Sequence, residues 1–315
     1  MPENWPSYAV PMPAIGAPET TAEFDRAVDV LAGRRVAVLT GAGVSTDSGI
    51  PDYRGRGTPV RTPMSFQQFR SDARFRQRYW AGSHLGWRRF HAAQPNAGHL
   101  ALTDLERAGV VPGVITQNVD DLHLRAGTRH VVDLHGTMHT VSCLDCGQVF
   151  AREAIAARLA ESNPWLESDA LLELSPDGDV PVAEFDATVV PECAVCGGVL
   201  KPGVVFFGEL VPPLKYEEAA ALVADADALL VAGSSLVVNS GIRVLELARR
   251  HRLPIVIVNR GETKGDGRAA VKVDAGTTET LVALRRALLG GGGPRALSRG
   301  PRPALGAAPG AHGEL

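Results

Sequence analysis

The chain has 315 residues, of which 45% are hydrophobic, so it is long enough for one large domain or two modest ones with a real core. Its net charge of −3, from 32 basic and 35 acidic residues, gives no electrostatic basis for bulk binding to nucleic acid or to a membrane surface. Since no run of about 18 apolar residues and no leader of charged then apolar residues occurs, we expect a cytoplasmic protein with no nucleic-acid or membrane partner.

Residues 1–20 and 290–315 are rich in proline, alanine or glycine and lack apolar periodicity. We interpret the first segment as an N-terminal extension and the second as a disordered tail, because neither contains enough bulky apolar residues to form a core. The folded part of the chain is predicted to lie between them.

The first predicted strand is the apolar run Val36–Leu39, which leads into a Gly-Ala-Gly turn at 41–43. A buried strand followed by a glycine turn is typical of nucleotide-binding sheets. A dehydrogenase fingerprint would require a third glycine where this chain has Thr46, and a carboxylate about 20 residues on, where the chain has none around residue 61. The turn is therefore predicted to serve chemistry other than that of an ordinary dehydrogenase.

Four apolar runs each end in small or polar residues and are separated by segments of helical length, such as 97–108 and 240–250. This alternation predicts one parallel sheet in an α/β fold. The runs are Val36–Leu39, Val114–Ile115, Leu229–Ala232 and Ile255–Val258. Because open α/β sheets bind ligands at the carboxyl ends of their strands, the polar residues that follow these runs are the candidates for a site.

Two segments interrupt the alternation and are predicted to form a smaller domain. Residues 54–90 contain nine arginines and a single acid, and residues 137–203 contain every cysteine of the chain. Within the second segment, residues 161–186 carry eight acids and no lysine or arginine, which is typical of a solvated loop.

The four cysteines form two C-x-x-C pairs, each followed by glycine. Four thiolates in this pattern satisfy tetrahedral zinc and leave no open position, so we expect one structural zinc ion. The predicted ligands are Cys143, Cys146, Cys193 and Cys196. Residues 147–192 separate the pairs, which is longer than the roughly 15–20 residues of a common zinc ribbon. A redox pair and buried thiols without a ligand are the alternatives.

Polar side chains suited to catalysis follow two of the predicted strands. Gln117, Asn118 and Asp120 come directly after one apolar run, and His135 follows the next. A single histidine is more often structural, but its position between a strand end and the cysteine segment makes His135 a candidate functional residue.

Together these stretches resemble the sirtuins, which are NAD-dependent protein-lysine deacylases. The matching stretches are GAGVSTDSGIPDYRG (41–55), TQNVDDLH (116–123), KPGVVFFGE (201–209), GSSLVV (233–238) and VNRG (258–261). They occur in the family's order and cover roughly residues 21–285.

The resemblance implies an α/β protein with a Rossmann-like parallel sheet in its large domain and a smaller domain made of a zinc ribbon and helices. The implied limits of the large domain are 21–53, 91–136 and 204–289. The small domain would comprise a helical part at 54–90 and the zinc module at 137–203, with NAD bound in the cleft between the domains.

The family's functional residues can be carried onto matching positions of this chain. His135 matches the general base, and Asn118 and Asp120 match residues that hold the nicotinamide ribose and amide. The implied NAD contacts are Gly41, Ala42, Gly43, Ser45, Asp52, Tyr53, Arg54, Gln117, Asn118, Asp120, Gly233, Ser234, Ser235, Asn259, Arg260, Gly261 and Thr277. The implied substrate strand, which would pair with the peptide backbone, consists of Val205, Phe206, Phe207, Gly208 and Glu209.

The implied reaction consumes NAD and acts on acyl-lysine proteins. The acyl oxygen attacks the ribose carbon as nicotinamide leaves, and His135 removes a proton from the ribose hydroxyl that then collects the acyl group. An ordinary imidazole pKa suits this role. We expect the protein to be a monomer.

Three further stretches, at 76–87, 94–99 and 175–180, and the long insert between the cysteine pairs resemble the class II branch of the family. That branch is associated with acyl groups bulkier than acetyl and with ADP-ribosyl transfer. Tyr79 is followed by Gly82 where the desuccinylases have arginine, so strict succinyl specificity is not expected. The alternatives to a deacylase are a protein ADP-ribosyltransferase and a non-catalytic NAD sensor.

Overall fold

A computed structural model describes residues 21–52, 63–166 and 180–290, apart from the side chain of Arg89. Within these ranges the helices are α1 (Ala22–Leu31), α2 (Phe66–Ser71), α3 (Ala73–Ala92), α4 (Ala97–Arg107), α5 (Leu122–Arg125), α6 (Arg152–Ser162), α7 (Pro213–Ala224), α8 (Asn239–Arg250) and α9 (Thr277–Gly290). The strands are β1 (Val36–Thr40), β2 (Val114–Thr116), β3 (Val131–Asp133), β4 (Gly136–Cys143), β5 (Val149–Ala151), β6 (Leu200–Val204), β7 (Ala228–Ala232), β8 (Ile255–Val258) and β9 (Val271–Val273).

The large sheet contains six parallel strands in the order β3-β2-β1-β7-β8-β9. The predicted α/β fold with a parallel sheet is confirmed, and all four predicted runs are strands of this sheet. The outer strands β3 and β9 have three residues each; β3 coincides with the short apolar run before His135, whereas β9 is not among the predicted runs.

The two faces of the sheet are covered by different helices, because successive side chains of a strand point to opposite faces. Val36 and Val38 pack in the cluster that includes Leu31 of α1 and Leu102 of α4. Ala37 and Leu39 point to the opposite face and pack in a second cluster with side chains of α7 and α8. Burial on both faces explains why β1, β7 and β8 are continuous apolar runs.

A second, smaller sheet is antiparallel and has the order β5-β4-β6. It shares a core with the helices α2, α3 and α6, in which Phe69, Trp80 and Ile155 are buried beside Val141. A separate apolar cluster around Trp87 joins α3 to the large-sheet side of the molecule. In the described part of the chain, no helix is both long and apolar enough to cross a membrane.

Candidate active site and metal centre

The carboxyl ends of β1 and β7 meet at a contact made only of backbone. Gly43 donates its N–H to the carbonyl of Gly233 at 2.9 Å. A Cβ at Gly43 would lie 2.8 Å from the Cα of Gly233, and one at Gly233, whose φ is +65°, would lie 2.5 Å from the nitrogen of Val44. Glycine is therefore required on both sides of this contact. The two turns together form a cradle at the carboxyl edge of the sheet, where open α/β folds bind their ligands.

Residues from neighbouring strand ends extend the cradle. Thr277, the first residue of α9, donates its hydroxyl to the carbonyl of Gly43 at 2.8 Å. Asn259 and Arg260 follow β8, and the Arg260 guanidinium lies 3.0 Å from a carboxylate oxygen of Glu279. The implied adenine-ribose contacts thus lie along the same sheet edge as the glycine turn.

A hydroxyl, an amide and a carboxylate form a compact group at the end of β2. Ser45 donates to the Asp120 carboxylate at 2.6 Å, and Asn118 Nδ2 donates to the Ser45 hydroxyl at 3.1 Å. The backbone N–H of Leu122 donates to the other carboxylate oxygen at 2.9 Å. Burial raises the pKa of Asp120, and the hydrogen bonds from Ser45 and Leu122 oppose that rise. The geometry preorganises three of the implied NAD contacts.

His135 lies beside this group, and its hydrogen bonds fix its tautomer. Nδ1 is 2.8 Å from the backbone carbonyl of Gln117, which can only accept, so Nδ1 carries the proton in the neutral ring. Nε2 is then the basic nitrogen and lies 2.8 Å from the hydroxyl of Ser240. Burial lowers the pKa of His135, and the Gln117 carbonyl opposes this shift. The neutral ring therefore carries its proton on Nδ1 and its lone pair on Nε2, which faces the Ser240 hydroxyl.

Ser240 is a site residue that the sequence did not reveal. It is the second residue of α8, 105 positions from His135, and it is 9% exposed. Serine at the start of a helix is common for reasons of capping alone, so its type and position carry no signal of a catalytic neighbour.

The implied substrate segment 205–209 is a loop, since β6 ends at Val204. Val205 donates its N–H to the carbonyl of His135 at 2.8 Å, which ties the loop to the candidate base. Glu209 accepts from the backbone N–H of Phe206 at 2.9 Å and lies 3.1 Å from Lys201 Nζ. The side chain of Glu209 therefore braces the loop from within.

Other implied NAD contacts lie in the turn after β1, in the segment around residue 52 and in the loop after β7. Ala42 begins a short helical turn after β1, and Asp52 is partly buried at the end of a described segment. Ser234 is nearly buried and donates to Gln117 Oε1 at 2.6 Å, and Ser235 follows it in the loop after β7. Two implied contacts, Tyr53 and Arg54, lie outside the described residues.

The four cysteines converge on one point. Their sulfur atoms all lie within 4.8 Å of one another, with 3.5 Å between Cys143 and Cys196 and 3.7 Å between Cys146 and Cys193. Four sulfurs around zinc, with bonds of about 2.3 Å, would lie about 3.8 Å apart, so the set fits this ion. These distances exclude disulfides, whose sulfurs are about 2.05 Å apart.

The two cysteine turns share one backbone geometry. Gly147 and Gly197, which follow the second cysteine of each pair, have φ values of +73° and +74°. The backbone N–H groups of Asp145 and Val195 point at the first sulfur of their pair, each at 3.4 Å. Such donors stabilise thiolates, as a closed structural zinc site requires.

Comparison with known proteins identifies the class to which this fold and site belong. A model of the Sir2 family matches residues 41–240. The chain is 53% identical over 267 residues to NAD-dependent protein deacetylase 1 of Mycobacterium avium, covering 84% of this chain and 95% of the relative. It is 44% identical over 281 residues to the mitochondrial NAD-dependent protein lipoamidase sirtuin-4 of Bos taurus, covering 87% and 88%.

Solved structures agree with these relatives. The fold is similar to a Sir2 complex with a p53 peptide and NAD⁺, with a TM-score of 0.65, 30% identity, and coverage of 83% of this chain and 96% of the other. A Sir2 enzyme bound to a propionylated peptide matches with a TM-score of 0.66, 30% identity and the same coverage. The chain belongs to the Sir2 family.

Proposed function

We propose that this Sir2-family enzyme removes acyl groups from lysine side chains of proteins in a reaction that consumes NAD and releases nicotinamide. The observation that carries the proposal is His135, a partly buried imidazole whose Nδ1 proton is committed to a carbonyl and whose Nε2 is the basic nitrogen that can accept a proton. The relatives named as NAD-dependent deacetylases and as a lipoamidase support the same class of reaction.

The residues around the base have separate roles in the proposed reaction. When bound, NAD supplies the electrophilic ribose carbon and the nicotinamide leaving group. The Gly43–Gly233 cradle lets backbone approach the pyrophosphate, and Ser45, Asn118 and Asp120 orient the nicotinamide end. His135 accepts a ribose hydroxyl proton at Nε2.

We further propose that the enzyme favours acyl groups bulkier than acetyl. Two features support this preference: the class II stretches at 76–87 and 94–99, and the 44% identity to a relative named as a lipoamidase. Gly82 occupies the offset from Tyr79 at which an arginine would select a succinyl carboxylate. The expected substrates therefore carry long or bulky acyl chains in place of succinyl.

The experiment is nicotinamide release from NAD with acetyl, succinyl, glutaryl, methylglutaryl-type, lipoyl and myristoyl lysine peptides. Replacing His135 with alanine should lower turnover by about 10²- to 10⁴-fold, the usual contribution of a general base. His130→Ala, an exposed histidine just before β3, is the matched control and should retain activity.

Each outcome of this panel decides a point. A His135-dependent signal that is strongest with lipoyl or myristoyl supports both parts of the proposal. A signal strongest with acetyl overturns the acyl preference alone. Silence across the panel, with transfer of label from NAD to protein, would replace the deacylase by an ADP-ribosyltransferase.

A further inference from the structure

A chain of hydrogen bonds with one consistent direction leads to the candidate base. The N–H of Leu236 donates to the Ser234 hydroxyl at 3.2 Å. The Ser234 hydroxyl in turn donates its own proton to Gln117 Oε1 at 2.6 Å. The Gln117 amide then donates from Nε2 to the Ser240 hydroxyl at 3.4 Å. Ser240 accepts this bond and keeps its own hydroxyl proton to donate to a further acceptor.

That acceptor is Nε2 of His135, 2.8 Å from Ser240 Oγ. The other ring nitrogen, Nδ1, donates to the backbone carbonyl of Gln117 at 2.8 Å. Gln117 therefore takes part twice in the series of hydrogen bonds, through its side chain and through its backbone. With His135 neutral and protonated at Nδ1, each contact in this series joins one donor to one acceptor.

The position of Ser240 is itself fixed by secondary structure. Ser240 is the second residue of the twelve-residue helix α8, and it is nearly buried. The positive end of a helix dipole disfavours a cation nearby, so an imidazolium at this place would be opposed by the helix and by the Ser240 proton.

We propose that Ser240 is a positioning residue for the reaction, whose hydroxyl orients the His135 ring and keeps Nε2 unprotonated until a substrate hydroxyl replaces it. The inference rests on the proposed function, because it takes His135 as the base. Ser240 is distinct from every residue that the family resemblance assigned to the site.

Charged groups on the elements around His135 have partners of their own. Asp133 of β3 lies 3.5 Å from Lys215 of α7, and Lys201 of β6 lies 3.1 Å from Glu209. On α8, Arg243 stacks on the Tyr216 ring at 4.0 Å. Asp120 accepts from Ser45, as described above. The Ser240 hydroxyl is thus the group on α8 that contacts the base directly.

The test compares wild type with Ser240→Ala and with the matched pair Ser240→Thr and Ser240→Val, which have the same shape but differ in the hydroxyl. Nitrogen-15 NMR of labelled histidine, with His135→Ala to assign the signal, reports the tautomer and titration midpoint of His135 without substrates. The pH dependence of kcat/KM for nicotinamide release is the second readout. Asn239→Ala, an exposed neighbour at the same helix end, is the control.

We expect the midpoint of His135 and the acid limb of kcat/KM to rise by roughly half to one pH unit in Ser240→Ala and Ser240→Val, because the lost bond favoured the neutral ring. Ser240→Thr should restore both. Unchanged tautomer and titration in the alanine and valine variants would overturn the inference. Altered titration in a protein without NAD turnover would support Ser240 as a positioning residue and reject the proposed function, so the two failures are distinguishable.

Discussion

The two sheets of the molecule hold their functional atoms in different ways. In the large sheet, strands buried on both faces carry the glycine turn, Asp120 and His135 at one edge, and Ser45 and Gln117 hold the two side chains by hydrogen bonds. In the small sheet, a core of limited size supports two turns that place four sulfurs within 4.8 Å. Four thiolates so close repel one another unless a cation is bound. Packing organises the first site, whereas the second depends on its metal.

The largest effect that this comparison predicts is the loss of the metal. Zinc binding contributes about 10–16 kcal/mol to folding in zinc-finger peptides, far more than any single contact. We expect Cys193→Ser or chelation to release zinc, to expose the core around Phe69 to protease, and to abolish nicotinamide release. Metal analysis and limited proteolysis measure the first two results.

Val195→Ser changes an exposed residue of the same turn, 68% accessible, and should leave zinc content and activity intact. A zinc-free Cys193→Ser protein that retained its protease resistance would contradict the proposed dependence of the small module on its metal.

The next largest effect should come from the backbone contact of the large sheet. In Gly233→Ala the new Cβ would lie 2.5 Å from Val44 N at a φ of +65°, so crowding and backbone strain add. We expect a loss of about 2–5 kcal/mol in the free energy of unfolding, with weakened NAD binding. Denaturant titration and calorimetry measure these changes.

Gly33→Ala is the matched control, because Gly33 has a φ of +68° and nothing within 4 Å of a new Cβ. It should lower stability by about 1 kcal/mol and leave NAD affinity unchanged. Equal effects of the two substitutions would argue that strain, and not the close approach of the two turns, makes glycine necessary at 233.

A smaller, pH-dependent effect arises from two histidines buried beneath the site. The rings of His99 and His123 lie 4.8 Å apart, and burial lowers the pKa of His123 to about 4 and that of His99 well below its ordinary value. Unfolding exposes these rings to protonation near pH 6.5, so stability is full above that pH and falls as the pH drops toward 4.

For His123 the lowered pKa corresponds to a loss of roughly 3 kcal/mol in the free energy of unfolding as the pH falls from about 6.5 to about 4. Because glutamine cannot titrate, His123→Gln should flatten the dependence of the free energy of unfolding on pH between pH 7 and 5. Denaturant unfolding measures this dependence. A slope unchanged from wild type would assign the acid sensitivity elsewhere, with the thiolates of the zinc site as the first alternative.

The sequence predicted those parts of the structure that local pattern encodes. The strands β1, β7 and β8 are continuous apolar runs because both faces of the sheet are buried, and the spacing within each cysteine pair is set by a single turn. The candidate base followed from its position after a strand, once the family resemblance supplied its role.

Contacts between residues far apart in the chain could not be predicted in this way. The bond between Ser240 and His135 and the pairing of the His99 and His123 rings depend on tertiary packing. The family resemblance implied a strand at 205–209, but β6 ends at Val204 and the bonds of Glu209 to Phe206 and Lys201 brace the segment as a loop.

The contact between Gly43 and Gly233 also constrains how the enzyme is made. Its two halves are separated by most of the folded chain, and neither half forms a cradle alone. During synthesis from the N-terminus, the glycine turn after β1 emerges early but must wait for β7 to leave the ribosome. A nascent chain shorter than about 230 residues therefore has no nucleotide site, and NAD can stabilise only a protein whose translation has passed that point.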